Sequence, residues 1–131
     1  MHIRGPMATL THACVITDDV ATLRAFYERV LRMKPTRSHD DYVEFATARG
    51  ALSLYARGKL EPYAPGATRP GSNRAVMIEF EVDDVDAEYE RLRSAPIEWV
   101  KPPGTQPWGN RSIYLRDPDG NLVNLYTPVK S

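Results

Sequence analysis

His12 lies within a short apolar run, residues 8–16, two positions before Cys14, the chain's single cysteine. Side chains two apart on a strand share a face, so imidazole and thiol would point the same way. The imidazole could act as a base or donate a hydrogen bond to a ligand, or be a satisfied structural histidine. A thiolate–imidazole pair suits parallel side chains poorly, and a lone buried cysteine is ordinarily inert packing. Glu79 and Glu81 alternate with Ile78, Phe80 and Val82. That pattern half-buries two carboxylates, which then serve as acids or bases with raised pKa values, or simply line a wet cleft and meet Arg or Lys across it. Residues 101–111 (Lys-Pro-Pro-Gly-Thr-Gln-Pro-Trp-Gly-Asn-Arg) combine rigid turn formers with an aromatic and a cation, as a lid would. Trp108 can stack on a flat apolar group and Arg111 can hold a carboxylate or phosphate with both arms of its fork; alternatively Trp108 packs on its own sheet edge.

The run over residues 8–16 reads as a strand, and Thr17-Asp18-Asp19 supplies helix-capping oxygens. From Val20, apolar residues at Leu23, Phe26, Tyr27, Val30 and Leu31 recur at three- and four-residue steps, predicting a helix to about Met33 that Pro35 stops. Three short strands follow over residues 36–39, 42–47 and 51–56, with turns at Asp40-Asp41 and Arg49-Gly50. Residues 62–73 hold three prolines and two glycines without apolar periodicity and read as a connection. The pattern then returns: a strand over 76–82, a helix marked by Val85, Tyr89 and Leu92 and ended by Pro96, and strands over 97–101, 112–116 and 122–127. The last two are joined by the tight turn Asp117-Pro118-Asp119-Gly120-Asn121. Sliding the halves by 65 positions lays Asp19-Val20 on Asp84-Val85 and His12 on Met77. The expected fold is α+β, one domain over residues 8–128, with a first module over about 8–60, a linker over about 61–73 and a second module over about 74–128. Each module is a βαβββ unit, and together they form a cupped mixed sheet with helices on its outer face. Residues 1–7 read as an expression scar or frayed arm. The competing topology is a ferredoxin-like sandwich with an accidental repeat.

The 131 residues suffice for one hydrophobic core, and 42% hydrophobic with 26% charged residues is ordinary globular usage. Lys plus Arg and Asp plus Glu number 17 each, so no overall field favours nucleic acid or an anionic membrane. One cysteine excludes an internal disulfide framework, no long apolar run reads as a membrane span, and residues 1–7 lack the apolar stretch of a secretory signal. A cytoplasmic location is expected.

Thr11-His12-Ala13, the helix start at Asp19-Val20, the helix segment Ala25-Phe26-Tyr27-Glu28-Arg29-Val30-Leu31 and the turn Asp117-Pro118-Asp119-Gly120-Asn121 together resemble the vicinal oxygen chelate superfamily. That group contains glyoxalase I, bleomycin-resistance proteins, extradiol dioxygenases and fosfomycin-resistance enzymes, and the likeness runs from about Thr9 to Pro128. The resemblance implies two βαβββ modules around a cleft and, at this size, a homodimer whose partner chain completes it. It also implies one divalent metal in the enzymatic members, with ligands on the first and last strands of each module. His12 matches the first such position, Ser53 the second, Met77 the third and Asn124 the fourth. A thioether, a hydroxyl and an amide are poor donors beside imidazole or carboxylate, so no metal ligand set is assigned and no cofactor is expected. Glu79 would be displaced by roughly 6 to 7 Å along its strand, at about 3.3 Å per residue.

Alternation from those positions places His12, Cys14, Ser53, Tyr55, Met77, Glu79, Glu81, Asn124 and Tyr126 on one inward face. His12 and Glu79 are the candidate catalytic residues; Ser53, Tyr55, Met77, Trp108, Arg111, Asn124 and Tyr126 are the candidate ligand contacts. The first functional expectation is a metal-independent small-molecule binder akin to bleomycin-resistance members. The alternative is a glyoxalase- or dioxygenase-like enzyme using His12 with a metal, or metal-free acid–base chemistry from His12 and Glu79. A pure interaction module finds no support in an apolar surface helix or charged tail.

Overall fold

The computed structural model describes residues 8–129, and the chain divides into two compact units between Thr68 and Arg69. The first contains β1 (His12–Thr17), α1 (Val20–Leu31), β2 (Arg37–Ser38), β3 (Tyr42–Ala46), β4 (Ala51–Ala56) and a one-turn helix, α2 (Arg57–Leu60). The second contains β5 (Met77–Glu81), α3 (Val85–Leu92), β6 (Glu98–Thr105), β7 (Asn110–Arg116) and β8 (Leu122–Pro128). Each unit carries a four-stranded mixed sheet, ordered β1-β4-β3-β2 in the first and β5-β8-β7-β6 in the second. In each, the first and last strands pair in parallel and the rest antiparallel. This is the α+β, twice-repeated βαβββ order that the sequence predicts.

Helices α1 and α3 start in the same way. Asp19 Oδ1 accepts from the Thr22 backbone N–H at 3.0 Å, and Asp84 Oδ1 from that of Ala87 at 3.2 Å, each satisfying a donor that the first turn leaves open. Helix α1 ends two residues before the expected stop, because Arg32 turns left-handed at φ 55°. Its apolar stripe, Val20, Leu23, Tyr27 and Val30, is buried against Val43 and Phe45 of β3 and Leu52 and Leu54 of β4. In the second unit Val85 and Leu92 cover Ile113, Leu115, Val123 and Leu125, and Tyr89 meets Trp99 edge-on with centroids 5.1 Å apart. Each sheet thus spends one face on its core, leaving alternate residues on the other.

Three elements depart from expectation. Helix α2 occupies residues 57–60, between the expected strand and the connection, where no element was expected. Helix α3 ends at Leu92, short of Pro96. The stretch expected to be a lid is mostly sheet: β6 runs to Thr105, only Gln106–Gly109 forms the turn, and β7 begins at Asn110. No helix of the described residues is long and apolar enough to cross a membrane. Residues 1–7 lie outside the described residues.

Candidate functional site

In the first unit, the register sets Cys14 beside Ser53, Ser53 beside Glu44, and Ile16 beside Tyr55 and Tyr42 in turn. All occupy the face away from α1. Glu44 Oε1 accepts from the Tyr42 hydroxyl at 2.8 Å and lies 2.7 Å from His12 Nε2. Because a carboxylate only accepts, Nε2 carries the proton; Nδ1, 2.9 Å from Thr11 Oγ1, then accepts from that hydroxyl when the ring is neutral. These contacts hold the Glu44 carboxyl below its ordinary value of 4.5, Tyr42 first and His12 second. Burial, then the Glu44 contact, pushes the Tyr42 phenol above 10.0. Ser53 is buried and hydrogen bonded with Tyr42. Tyr55 packs edge-on against Tyr42, centroids 5.9 Å apart. Cys14 is exposed.

The corresponding face of the second unit begins with Met77 beside Leu122, Glu79 beside Asn124 and Glu81 beside Tyr126. Across β8, Tyr114 lies opposite Asn124 and Ser112 opposite Tyr126. The Asn124 amide N–H donates to Glu79 Oε2 at 2.8 Å. Asn124 and Ser112 retain 3% and 1% of their exposure. Asn124 Oδ1 and Ser112 Oγ nevertheless have no hydrogen-bond partner among the described residues. Glu79 and Glu81 are exposed rather than half-buried, since β5 is an edge strand and nothing in its own sheet flanks it on the outer side.

The two lid residues separate. Trp108 stands in the Gln106–Gly109 turn with 68% of its surface open, a placement that Gly109 permits at φ 99°. Arg111 shares its side of β7 with Ile113 and Leu115, the helix face, and grips Asp86 of α3 through two bonds of 2.7 and 2.9 Å. That contact raises the guanidinium pKa and lowers that of the carboxyl. The fork is therefore spent within the unit, on the opposite face from Asn124.

Over residues 9–125 the sequence matches the model of the Glyoxalase/Bleomycin resistance protein/Dioxygenase superfamily. The chain belongs to that superfamily. Virulence protein STM3117 of Salmonella typhimurium is 25% identical over 119 residues, 88% of this chain and 81% of that protein. Its crystal structure matches with a TM-score of 0.72, covering 95% of this chain and all of its own (100%). The uncharacterized protein YraH of Bacillus subtilis is 35% identical over 51 residues, 38% of this chain and 40% of YraH, so the match spans less than half of that protein. A glyoxalase/bleomycin resistance protein/dioxygenase from Nocardioides has a TM-score of 0.78 at 25% identity, covering 98% of this chain and 89% of its own. The superfamily's name spans enzymes and resistance proteins, so chemistry has to be argued from the side chains of this member.

The structure brings Glu79 to Asn124, with Tyr126 two residues along β8. It gives His12 a carboxylate partner that inspection of the first and last strands overlooks, because Glu44 is on β3. A signal for it was present: Val43 and Phe45 are apolar, so Tyr42 and Glu44 must face the other way. Tyr114 and Ser112 were missed for the same reason on β7.

Proposed function

We propose that this superfamily member binds a small molecule on the polar face of the second unit's sheet, without the divalent metal of the superfamily's enzymes. The observation that carries this reading is the pair of buried, unpartnered atoms, Asn124 Oδ1 and Ser112 Oγ. An unsatisfied buried polar group costs about 1–3 kcal/mol, and a ligand that completes its hydrogen bonding removes that cost. The donors are ill-suited to a divalent ion. Glu79 is accompanied by an amide and a thioether, and His12 Nε2 already donates to Glu44. No group of three or more His, Cys, Asp or Glu side chains among the described residues gathers as a metal ion would require.

Equilibrium dialysis of the purified protein against a panel of aromatic and cationic metabolites and antibiotics is expected to find saturable binding that Asn124→Leu removes. Absence of saturable binding below millimolar concentration across the panel would overturn the reading. Stoichiometric metal in protein purified without chelator, lost on His12→Ala, would overturn its metal-free part.

A second reading, acid–base catalysis on a carbon acid, is favoured by the His12–Glu44 pair. A carboxylate that fixes the tautomer and orientation of an imidazole is a common way to prepare a base. In that case His12→Ala would abolish solvent-hydrogen exchange into a bound carbonyl compound, while Glu44→Gln would slow it and alter its pH profile. Equal exchange by all three proteins would dismiss the reading.

A further inference from the structure

We infer that Asn124, Ser112 and Glu79 form a seat for a ligand nitrogen that carries N–H donors and a positive charge, such as a protonated amine or amidine on a flat ring. The inference rests on the binding reading above and fixes its chemical class. An amide side chain can ordinarily flip to suit its surroundings, but here Glu79 decides the matter. A carboxylate cannot donate, so the end of Asn124 that faces Oε2, 2.8 Å away, has to be the NH2 group. Oδ1 is thereby left as the unpartnered end, and it can only accept. Ser112 Oγ, buried and equally unpartnered, is on the same face, diagonal to Asn124 across the β7–β8 pairing, and can also accept. A ligand that satisfies Oδ1 must therefore donate, and the Ser112 hydroxyl adapts to either role.

Charge points the same way. Glu79 and Glu81 both stand on this face along β5, in register with Asn124 and Tyr126. Of the cations on the face, Arg116 is committed to the Gly120 carbonyl at 3.0 Å and approaches Glu98 at 3.8 Å. Lys101 lies beyond Tyr114 in the same row, two strands from Asn124, or roughly 10 Å at the usual interstrand spacing. Tyr114, opposite Asn124, and Tyr126, opposite Ser112, supply aromatic surface of the kind that attracts an organic cation and stacks on a ring. A bare metal ion fits less well, because Glu79 with an amide and a hydroxyl falls short of the oxygen count that calcium takes, and Glu81 stands two residues further along β5, roughly 7 Å away.

The test is isothermal titration of the full chain with four probes of one shape, benzamidine, benzylamine, benzyl alcohol and benzoate, and with calcium and magnesium chloride alone. Benzamidine and benzylamine are expected to bind at least about tenfold more tightly than the alcohol, with benzoate weakest. Glu79→Gln, a change at an exposed side chain, should erase most of that preference. Asn124→Leu should abolish binding with the circular dichroism spectrum unchanged; should that variant misfold, Glu79→Gln alone carries the test. Binding without regard to charge, a preference for benzoate, or tight binding of calcium or magnesium would overturn the inference and leave the binding reading standing. No binding of any probe, together with an empty metabolite panel, would sink both.

Discussion

In the first unit one carboxylate oxygen, Glu44 Oε1, serves both the Tyr42 hydroxyl and His12 Nε2. Glu44 ionises more readily folded than unfolded, so its contribution to stability is present above 4.5, the ordinary glutamate value, and is lost as pH falls through the depressed folded value. Tyr42 behaves oppositely: its phenol holds its proton above 10.0, so stability is lost as pH rises from there through the raised folded value. Denaturant titrations at stepped pH are expected to show the stability gap between wild type and Glu44→Gln narrowing below 4.5. The Tyr42 phenol should return only part of the way toward 10.0 in the variant, because burial is its larger cause. A gap that stays constant down the acid limb would show that Glu44 is not held by these contacts. The candidate site was half legible in the sequence. Alternation along β1, β5 and β8 gave His12, Glu79, Asn124 and Tyr126, but a partner reached across strands depends on register, which the local pattern of one strand does not encode. Hence Glu44 was not seen beside His12, nor Asp86 beside Arg111.

The elements show where local pattern suffices and where context overrides it. The buried stripe of α1 and the shared Asp caps were readable because period and capping are local chemistry. Helix α2 was not, since Arg57–Leu60 is one turn with Gly58 inside it and has no period to detect. Strand β6 was cut short in expectation because Pro102, Pro103 and Gly104 read as loop. As the edge of its sheet, however, it tolerates residues that cannot donate to a ladder, and register shifts between Trp99 and Lys101 and between Lys101 and Gly104 absorb them. The β7–β8 turn was fully legible. Buried Asp117 accepts from the backbone N–H groups of Asp119 and Asn121 and from the Asn121 amide, each at 2.9 Å. Gly120 adopts φ 89°, and a Cβ there would come within 3.2 Å of an Arg74 guanidinium nitrogen. Asp117→Ala is expected to cost about 2–4 kcal/mol in urea unfolding, from the loss of charge-assisted bonds at a buried site. Gly120→Ala should cost about 1–2 kcal/mol for its backbone alone. Because they share one turn, the double variant should lose less than the sum; strict additivity would mean that the turn does not act as a unit.

For the molecule as a whole, charge offers no long-range guidance. Positive and negative side chains balance at 17 each, and ion pairs such as Arg111–Asp86 and Arg57–Asp18 are closed within their own units. Selection of a ligand then falls to local complementarity, and that has a cost in the empty protein. Native domains are stable by only about 5–15 kcal/mol, so two buried atoms unsatisfied at about 1–3 kcal/mol each are a sizeable fraction of the margin. A ligand at a hundredfold excess over its Kd adds about 2.7 kcal/mol, roughly 8–13 °C in Tm for a chain between the reference sizes. Replacing Asn124 by Leu removes the unpartnered oxygen, and Glu79, being exposed, recovers water in place of the amide. The empty variant is therefore expected to melt a few degrees above wild type, roughly 3–5 °C for a gain of about 1 kcal/mol. The same variant should show no ligand-induced shift in scanning calorimetry. Greater stability when empty, bought with the loss of the ligand response, is the signature of a group kept for binding. If Asn124→Leu instead melts below wild type, the amide belongs to the structural frame of the second unit's sheet, and its unpartnered oxygen has been satisfied by ordered water throughout.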